Sequence, residues 1–186
     1  MKPIIISLFF SLFAISTYGQ DKSNYVYFNK LIELDGSDYV IATIENVGKM
    51  FSVKGKYLLF INTRTGQSKQ VDFPSDASIG RVEQVRIDSL QINKVLVAGQ
   101  TVNLDENKQI DWNDPVQIIV ISVDGQEKVQ LTEDKFFVST WIVNRQTGTI
   151  VITGHYDSNN NGKYDKTDKN QILLYSLKTL KLISKI

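Results

Sequence analysis

Shifted by 55 residues, this chain falls on itself. With residues 82–99 set above 137–154, Ile87 meets Ile142, Ile92 meets Thr147, Val95 meets Ile150, Leu96 meets Val151 and Val97 meets Ile152. The same offset backwards brings Val40 and Ile41 to Val95 and Leu96. Further along the offset falls to 54, and Gln117-Ile-Ile-Val-Ile-Ser122 lies over Gln171-Ile-Leu-Leu-Tyr-Ser176. Tyr57-Leu-Leu-Phe-Ile-Asn62 fills the same slot in a first unit. Such a period marks an array of one supersecondary unit, each copy burying an apolar face on the next.

Each unit is made of short runs rich in Val, Ile, Tyr and Phe, parted by Gly, Asn and Asp, with almost no helical periodicity. The pattern predicts four strands per unit. The first strands are residues 29–34, 83–88 and 138–144, and the second are 39–44, 94–99 and 149–154. The third are 57–62, 116–123 and 171–177, and the fourth are 68–73, 128–132 and 180–186. Thr65-Gly66, Asp124-Gly125 and Thr147-Gly148 are hairpin-length connections. The link from second to third strand is long in units two and three. The expected fold is therefore all-β, in three repeats of a four-stranded antiparallel blade of a β-propeller, at about 25–80, 81–135 and 136–186. A β-sandwich is the alternative.

The segment Gln117-Ile-Ile-Val-Ile-Ser-Val-Asp124-Gly125-Gln-Glu-Lys-Val-Gln-Leu131-Thr132 resembles the TolB-like propeller repeat, in which an apolar strand is followed by an Asp-Gly turn and a Leu-Thr close. Asp35-Gly36 before Tyr39-Val-Ile-Ala is similar to the Asp-Gly that precedes the second strand of that repeat. The other units read Leu90-Gln91 and Gln146-Thr147 there. The resemblance implies a propeller fold. Propellers close with about 4 to 8 blades, so three leave apolar faces and strand edges at both ends. The expectation is a truncated propeller, a ring completed by a homodimer, or another packing of the sheets.

The long link of the third unit reads Asp157-Ser-Asn159-Asn-Asn161-Gly162-Lys163-Tyr-Asp165-Lys-Thr-Asp168. A calcium loop takes oxygen ligands at positions 1, 3, 5, 9 and 12, a backbone carbonyl at 7 and glycine at 6 for a sharp turn. Asp157, Asn159, Asn161, Asp165 and Asp168 fill the side-chain places, Lys163 offers its carbonyl and Gly162 sits at the turn. Only the last residue departs, Asp standing where Glu is usual. In this the loop is similar to those of dockerins, and it resembles an EF-hand loop flanked by strands in place of helices. At the offset of 54, Asn103, Asp105, Asn107, Asp111 and Asp114 repeat the spacing, but Lys108 replaces the glycine and disfavours a left-handed backbone there. The first unit has Gly48-Lys-Met-Phe-Ser-Val-Lys54 and no acid. An all-oxygen set selects calcium over zinc or copper, in a structural role that neutralises clustered carboxylates. The competing reading is that Asn, Asp and Gly merely populate turns.

Composition excludes several classes. A net charge of +1 gives no footprint for nucleic acid. Without cysteine there is no disulfide, no thiolate catalysis and no cysteine-held metal. Lys2, the apolar run from Ile4 to Ile15 and the small residues Thr17 and Gly19 read as a secretory signal peptide over residues 1–19, cleaved after Gly19. The run is shorter than the ~20 residues of a membrane span, and no transmembrane segment is expected after signal removal. The expected location is periplasmic or extracellular. No G-x-S-x-G occurs, and His155, the single histidine, reads as structural at a strand end. Trp141, Phe136, Phe137, Tyr57 and Phe60 fall in strands and read as core, while Tyr25 and Tyr27 are open between core and rim.

Together these predict an exported, non-enzymatic binding module spanning residues 20–186, with calcium-stabilised loops that meet a protein or an envelope polymer. Trp112, within the upstream loop, is the candidate contact. The alternatives are a non-catalytic propeller part of an envelope peptidase-type enzyme, and a glycan-binding module, which requires exposed aromatics near the loops.

Overall fold

The computed structural model describes residues 28, 30–43, 56–162 and 164–186. The signal segment 1–19, Tyr25, Tyr27, the 48–54 link and Lys163 lie outside the described residues. Among the described residues twelve strands follow one another, β1 (Lys30–Glu33), β2 (Tyr39–Thr43), β3 (Lys56–Asn62), β4 (Ser68–Phe73), β5 (Ser78–Ile87), β6 (Ile92–Gln100), β7 (Val116–Ser122), β8 (Lys128–Gln130), β9 (Phe136–Asn144), β10 (Thr149–Tyr156), β11 (Asn170–Ser176) and β12 (Leu182–Lys185). They form three four-stranded sheets in the orders β1-β2-β3-β4, β5-β6-β7-β8 and β9-β10-β11-β12, with neighbouring strands antiparallel. Each sheet is an up-and-down meander, the construction of a propeller blade. Every predicted strand is present; ends differ by a few residues, and β5 starts earlier than expected, at Ser78. Among the described residues the sole helical turn is Asp88–Leu90, and no helix is long and apolar enough to cross a membrane.

Side-chain alternation decides how the sheets stack. In β7, Ile119 and Ile121 point into a core shared with the first sheet, while Ile118 and Val120 point into one shared with the third. β6 divides the same way, Val95 and Val97 against Leu96. The centre of the second sheet is thus buried on both faces, which fits the unbroken apolar runs at residues 95–98 in β6 and 118–121 in β7. The first sheet supplies Ile41, Leu58, Phe60 and Val71 to one core. The third supplies Ile150, Ile152, Leu173 and Tyr175 to the other. Of the aromatics read as core, Phe60 and Phe136 are fully buried. Tyr57, Phe137 and Trp141 are half-buried, and Arg81 lies over the Trp141 ring at 4.4 Å.

Polar contacts lock the first junction. Arg86 in β5 reaches the Asp35 carboxylate at 2.9 Å, and Gln84 pairs with both the N–H and the carbonyl of Asp35, each at 2.8 Å. The Asp35-Gly36 turn therefore serves as an inter-blade clasp as well as a hairpin. In the third sheet a bulge falls at Thr153/Gly154. A Cβ on Gly154 would stand 2.1 Å from the Phe137 carbonyl oxygen, and one on Gly99, its counterpart in the repeat, 2.7 Å from that of Ser78. Only glycine allows the strands to approach so closely.

Candidate functional site

The long β6–β7 and β10–β11 connections leave the same end of the sheets and touch. A Cβ added to Gly162 would lie 2.8 Å from the Asp105 Cβ and 3.1 Å from its Cα, so the turn of one loop rests on the backbone of the other. Between them is a cleft of about 390 Å³ lined by Leu104, Asp105, Glu106, Lys135, Asp157 and Asn160. Lys135 donates from Nζ to Asn160 Oδ1 at 2.5 Å.

The two loops share one internal wiring. Asp168 accepts from the backbone N–H of Ser158 and of Asp165, both at 2.8 Å. Its counterpart Asp114 accepts from Leu104 at 2.7 Å and Asp111 at 2.8 Å. Both carboxylates are buried, with 7% and 3% of their surface exposed. Asp165 Oδ1 accepts from Thr167 N–H at 2.7 Å, as Asp111 Oδ1 does from Asn113 at 2.8 Å. The third-position residues match too, Asn159 Oδ1 and Asp105 Oδ1 each capping the N–H two residues on. Glu106 and Asn160 occupy equivalent left-handed positions at φ 53 and 57. Acceptors on short side chains thus hold backbone N–H groups that no strand partner can reach.

The loops part at positions 1 and 6. Gly162 is left-handed at φ 71, whereas Lys108 is absent from the positive-φ residues. Asp157 then accepts the N–H of Asn161 at 3.0 Å and of Gly162 at 2.8 Å. Asn103, in the equivalent place, donates to the Asn107 carbonyl at 3.0 Å, and its Oδ1 is buried with no partner. The upstream loop is held instead from outside, by Gln100 donating to the carbonyls of Asp111 and Asp114 and by Asp76 accepting the Ile110 N–H at 2.8 Å.

Around Asp165 the amides of Asn159 and Asn161 both donate to Oδ2 at 2.7 Å. Hydrogen bonds from Thr167 first, then from Asn159, hold its carboxyl down at a pKa of about 2 against a small opposing effect of burial. Among the described residues, no three His, Asp or Glu side chains converge as a ready ligand set. The oxygens of Asp157 and Asp168 each spend one lone pair on an N–H and keep another.

His155 closes β10 beneath the loop, stacked on Phe137 at 4.9 Å and tilted against Tyr164 at 4.2 Å. Burial lowers its pKa, opposed by the charges of Asp168 and Asp157, and its Nε2 is buried without a hydrogen-bond partner. Trp112 and Tyr164 stand out from the two loops, 84% and 62% exposed. Sequence reasoning overlooked Tyr164, Lys135 and Asp76. Tyr164 could have been found inside the loop motif itself, but Lys135 and Asp76 carry no sequence signal.

No family model matches this chain, and no curated protein matches it. Among solved structures, it is similar to the acylaminoacyl peptidase of Pyrococcus horikoshii at 11% identity and a TM-score of 0.44, over 88% of this chain and 25% of that one. The chain thus spans about a quarter of that protein's length. A likeness this distant says nothing of the chemistry here.

Proposed function

We propose that the protein is an exported, non-enzymatic binding module whose paired long loops, stiffened by calcium, form its recognition surface. The observation that carries this is the contact of Gly162 with Asp105, which joins loops of adjacent blades into one platform bearing Trp112 and Tyr164. Loops fixed on a rigid scaffold are where binding residues concentrate.

Several features support calcium in the 157–168 loop. Gly162 makes the turn the template requires. The Asn159 and Asn161 amides already meet at Asp165, and a half-turn would present acceptor oxygens there, with Asn159 giving up the bond it accepts from the Asn161 N–H. Asp157 and Asp168 retain free lone pairs, so Asp157, Asn159, Asn161, Asp165 and Asp168 would hold the ion, with the carbonyl of Lys163 filling the template's seventh place. The ion would supply positive charge to three carboxylates and do no chemistry. The unpartnered Asn103 Oδ1 supports a second ion at Asn103, Asp105, Asn107, Asp111 and Asp114. Extracellular calcium modules work at Kd of about 10⁻⁴–10⁻³ M.

The test is a thermal melt in calcium and in chelator. Calcium at a hundredfold excess over Kd should stabilise by about 2.7 kcal/mol, a rise of roughly 5–10 °C for a chain of this size. Equal melting temperatures refute the calcium reading. The exposure of Trp112 and Tyr164 favours a glycan as the partner class, because flat amphipathic rings can stack on a sugar face while staying wet. Quenching or enhancement of Trp112 fluorescence that saturates with an oligosaccharide, and vanishes in Tyr164→Ala, supports it. A protein partner is the other outcome.

A further inference from the structure

The repeat assigns a function to the two outer faces. At each junction in the molecule, one sheet offers a leading face and the next a receiving face. The second sheet leads with Val85, Ile87, Leu96, Ile118 and Val120 and receives with Val95, Val97, Ile119 and Ile121, all buried. Carried forward by the repeat offsets, its leading face becomes Thr140, Ile142, Val151, Ile172 and Leu174 on the outer side of the third sheet. Ile142 there is 68% exposed and Ile172 36%, where their counterparts Ile87 and Ile118 are 8% and 0%. Register confirms the shared side, since Ile142 pairs with Val151, Val151 with Leu174, and Thr140 with Thr153. None of these residues is charged, although charged residues make up 22% of the chain. An uncharged, aliphatic outer sheet lacks the devices that keep such surfaces apart.

The receiving face recurs at the opposite end. Carried back from Val95, Val97, Ile119 and Ile121, it becomes Val40, Ala42, Leu59 and Ile61 on the outer side of the first sheet, where Ala42 is buried, the other three are half-buried, and Glu33, paired with Val40, sets one charge at the edge. Leu31, which pairs with Ala42, extends that side and is 71% exposed. The molecule therefore carries both halves of its own blade junction, one at each end. We propose that the third sheet of one copy packs on the first sheet of a second copy, and the reverse, so that two chains close a ring of six blades. Six lies within the range over which propellers close, and a head-to-tail contact that closes leaves no free end. The occupant fits because the junction is one the chain already makes twice within itself.

The purified protein is measured by light scattering and sedimentation, beside Ile142→Asp, with circular dichroism to establish that the variant keeps its strands. The wild type should run at twice the chain mass, and Ile142→Asp should weaken the dimer at least 100-fold. A monomeric wild type, or a mass other than two copies, overturns the proposal. So does a folded Ile142→Asp that remains dimeric. Should that variant not fold, geometry is read by bridging cysteines, which is clean because the chain has none of its own. Mixed Ile142→Cys and Leu31→Cys chains should be bridged to each other by a short bis-maleimide. Bridging of Ile142→Cys only to itself would mean a like-to-like contact and would overturn the head-to-tail arrangement.

Discussion

Replacing Asp168 by Asn separates hydrogen-bond chemistry from shape. The substitution keeps the volume, but the native carboxylate receives one N–H on each oxygen, from Ser158 and from Asp165, both at 2.8 Å. An amide offers only one oxygen. Its NH₂ would face the second backbone N–H, donor against donor, in a site where the native side chain is 7% exposed. A bond to a charged acceptor contributes about 1.5–3 kcal/mol, and a buried donor left bare costs about 1–3 kcal/mol. The expected loss is about 2–4 kcal/mol, or roughly 5–15 °C in Tm at this chain length. Asp114→Asn should cost a similar amount, since Asp114 is wired to Leu104 and Asp111 in the same way. The assay is thermal and urea unfolding in chelator, so that metal plays no part. A change below about 0.5 kcal/mol in both variants, the range of a surface substitution, would refute the reasoning that these carboxylates organise the loops.

Gly162→Ala should destabilise by about 1–3 kcal/mol, because φ 71 is strained for alanine and the new Cβ would stand 2.8 Å from Asp105; chemical denaturation measures it, and a neutral result would mean the loops do not rest on each other. Gly154→Ala should be worse still, since its Cβ would meet a backbone carbonyl at 2.1 Å; loss of near-ultraviolet circular dichroism is the expected readout. A hydrogen bond from Ser122, opposed in part by burial, holds the Asp124 carboxyl below its ordinary value. Its folded pKa is depressed, so its stabilisation is complete above about pH 4 and is lost as pH falls through the folded value. Melts between pH 5 and 2.5 should fall less steeply in Asp124→Ala than in the wild type. Trp112→Ala should leave Tm unchanged, the side chain being 84% exposed, while abolishing the binding of any loop-face ligand.

The strands were legible because strand signals are local. Short runs rich in Val, Ile, Tyr and Phe, parted by Gly, Asn and Asp, marked the strands, but a run such as Ile118 to Ile121 and one such as Ile172 to Tyr175 read alike, although only the first is covered on both sides within the chain. Offsets of 55 and 54 then fixed which strands correspond. The internal wiring of the loops was legible for the same reason, each bond spanning ten residues or fewer. What joins separate units was not. Arg86 closing on Asp35, Asp76 capping Ile110 and Gly162 seated on Asp105 connect residues 34 to 57 positions apart. No spacing rule encodes such pairs, since they follow from how whole sheets stack. The exposure of Trp112 was hidden likewise, because a loop position does not say whether a ring turns inward.

Burial of the second sheet on both sides has a consequence for how the molecule opens. In a stack where each unit touches only its neighbours, stability is a sum of unit and junction terms. The middle unit has two junctions within the chain and each end unit has one. In the dissociated single chain, opening should therefore run from the ends inward. Amide hydrogens of β6 and β7 should exchange with solvent only through global unfolding, while those of β1 and β12 exchange through cheaper, partial openings.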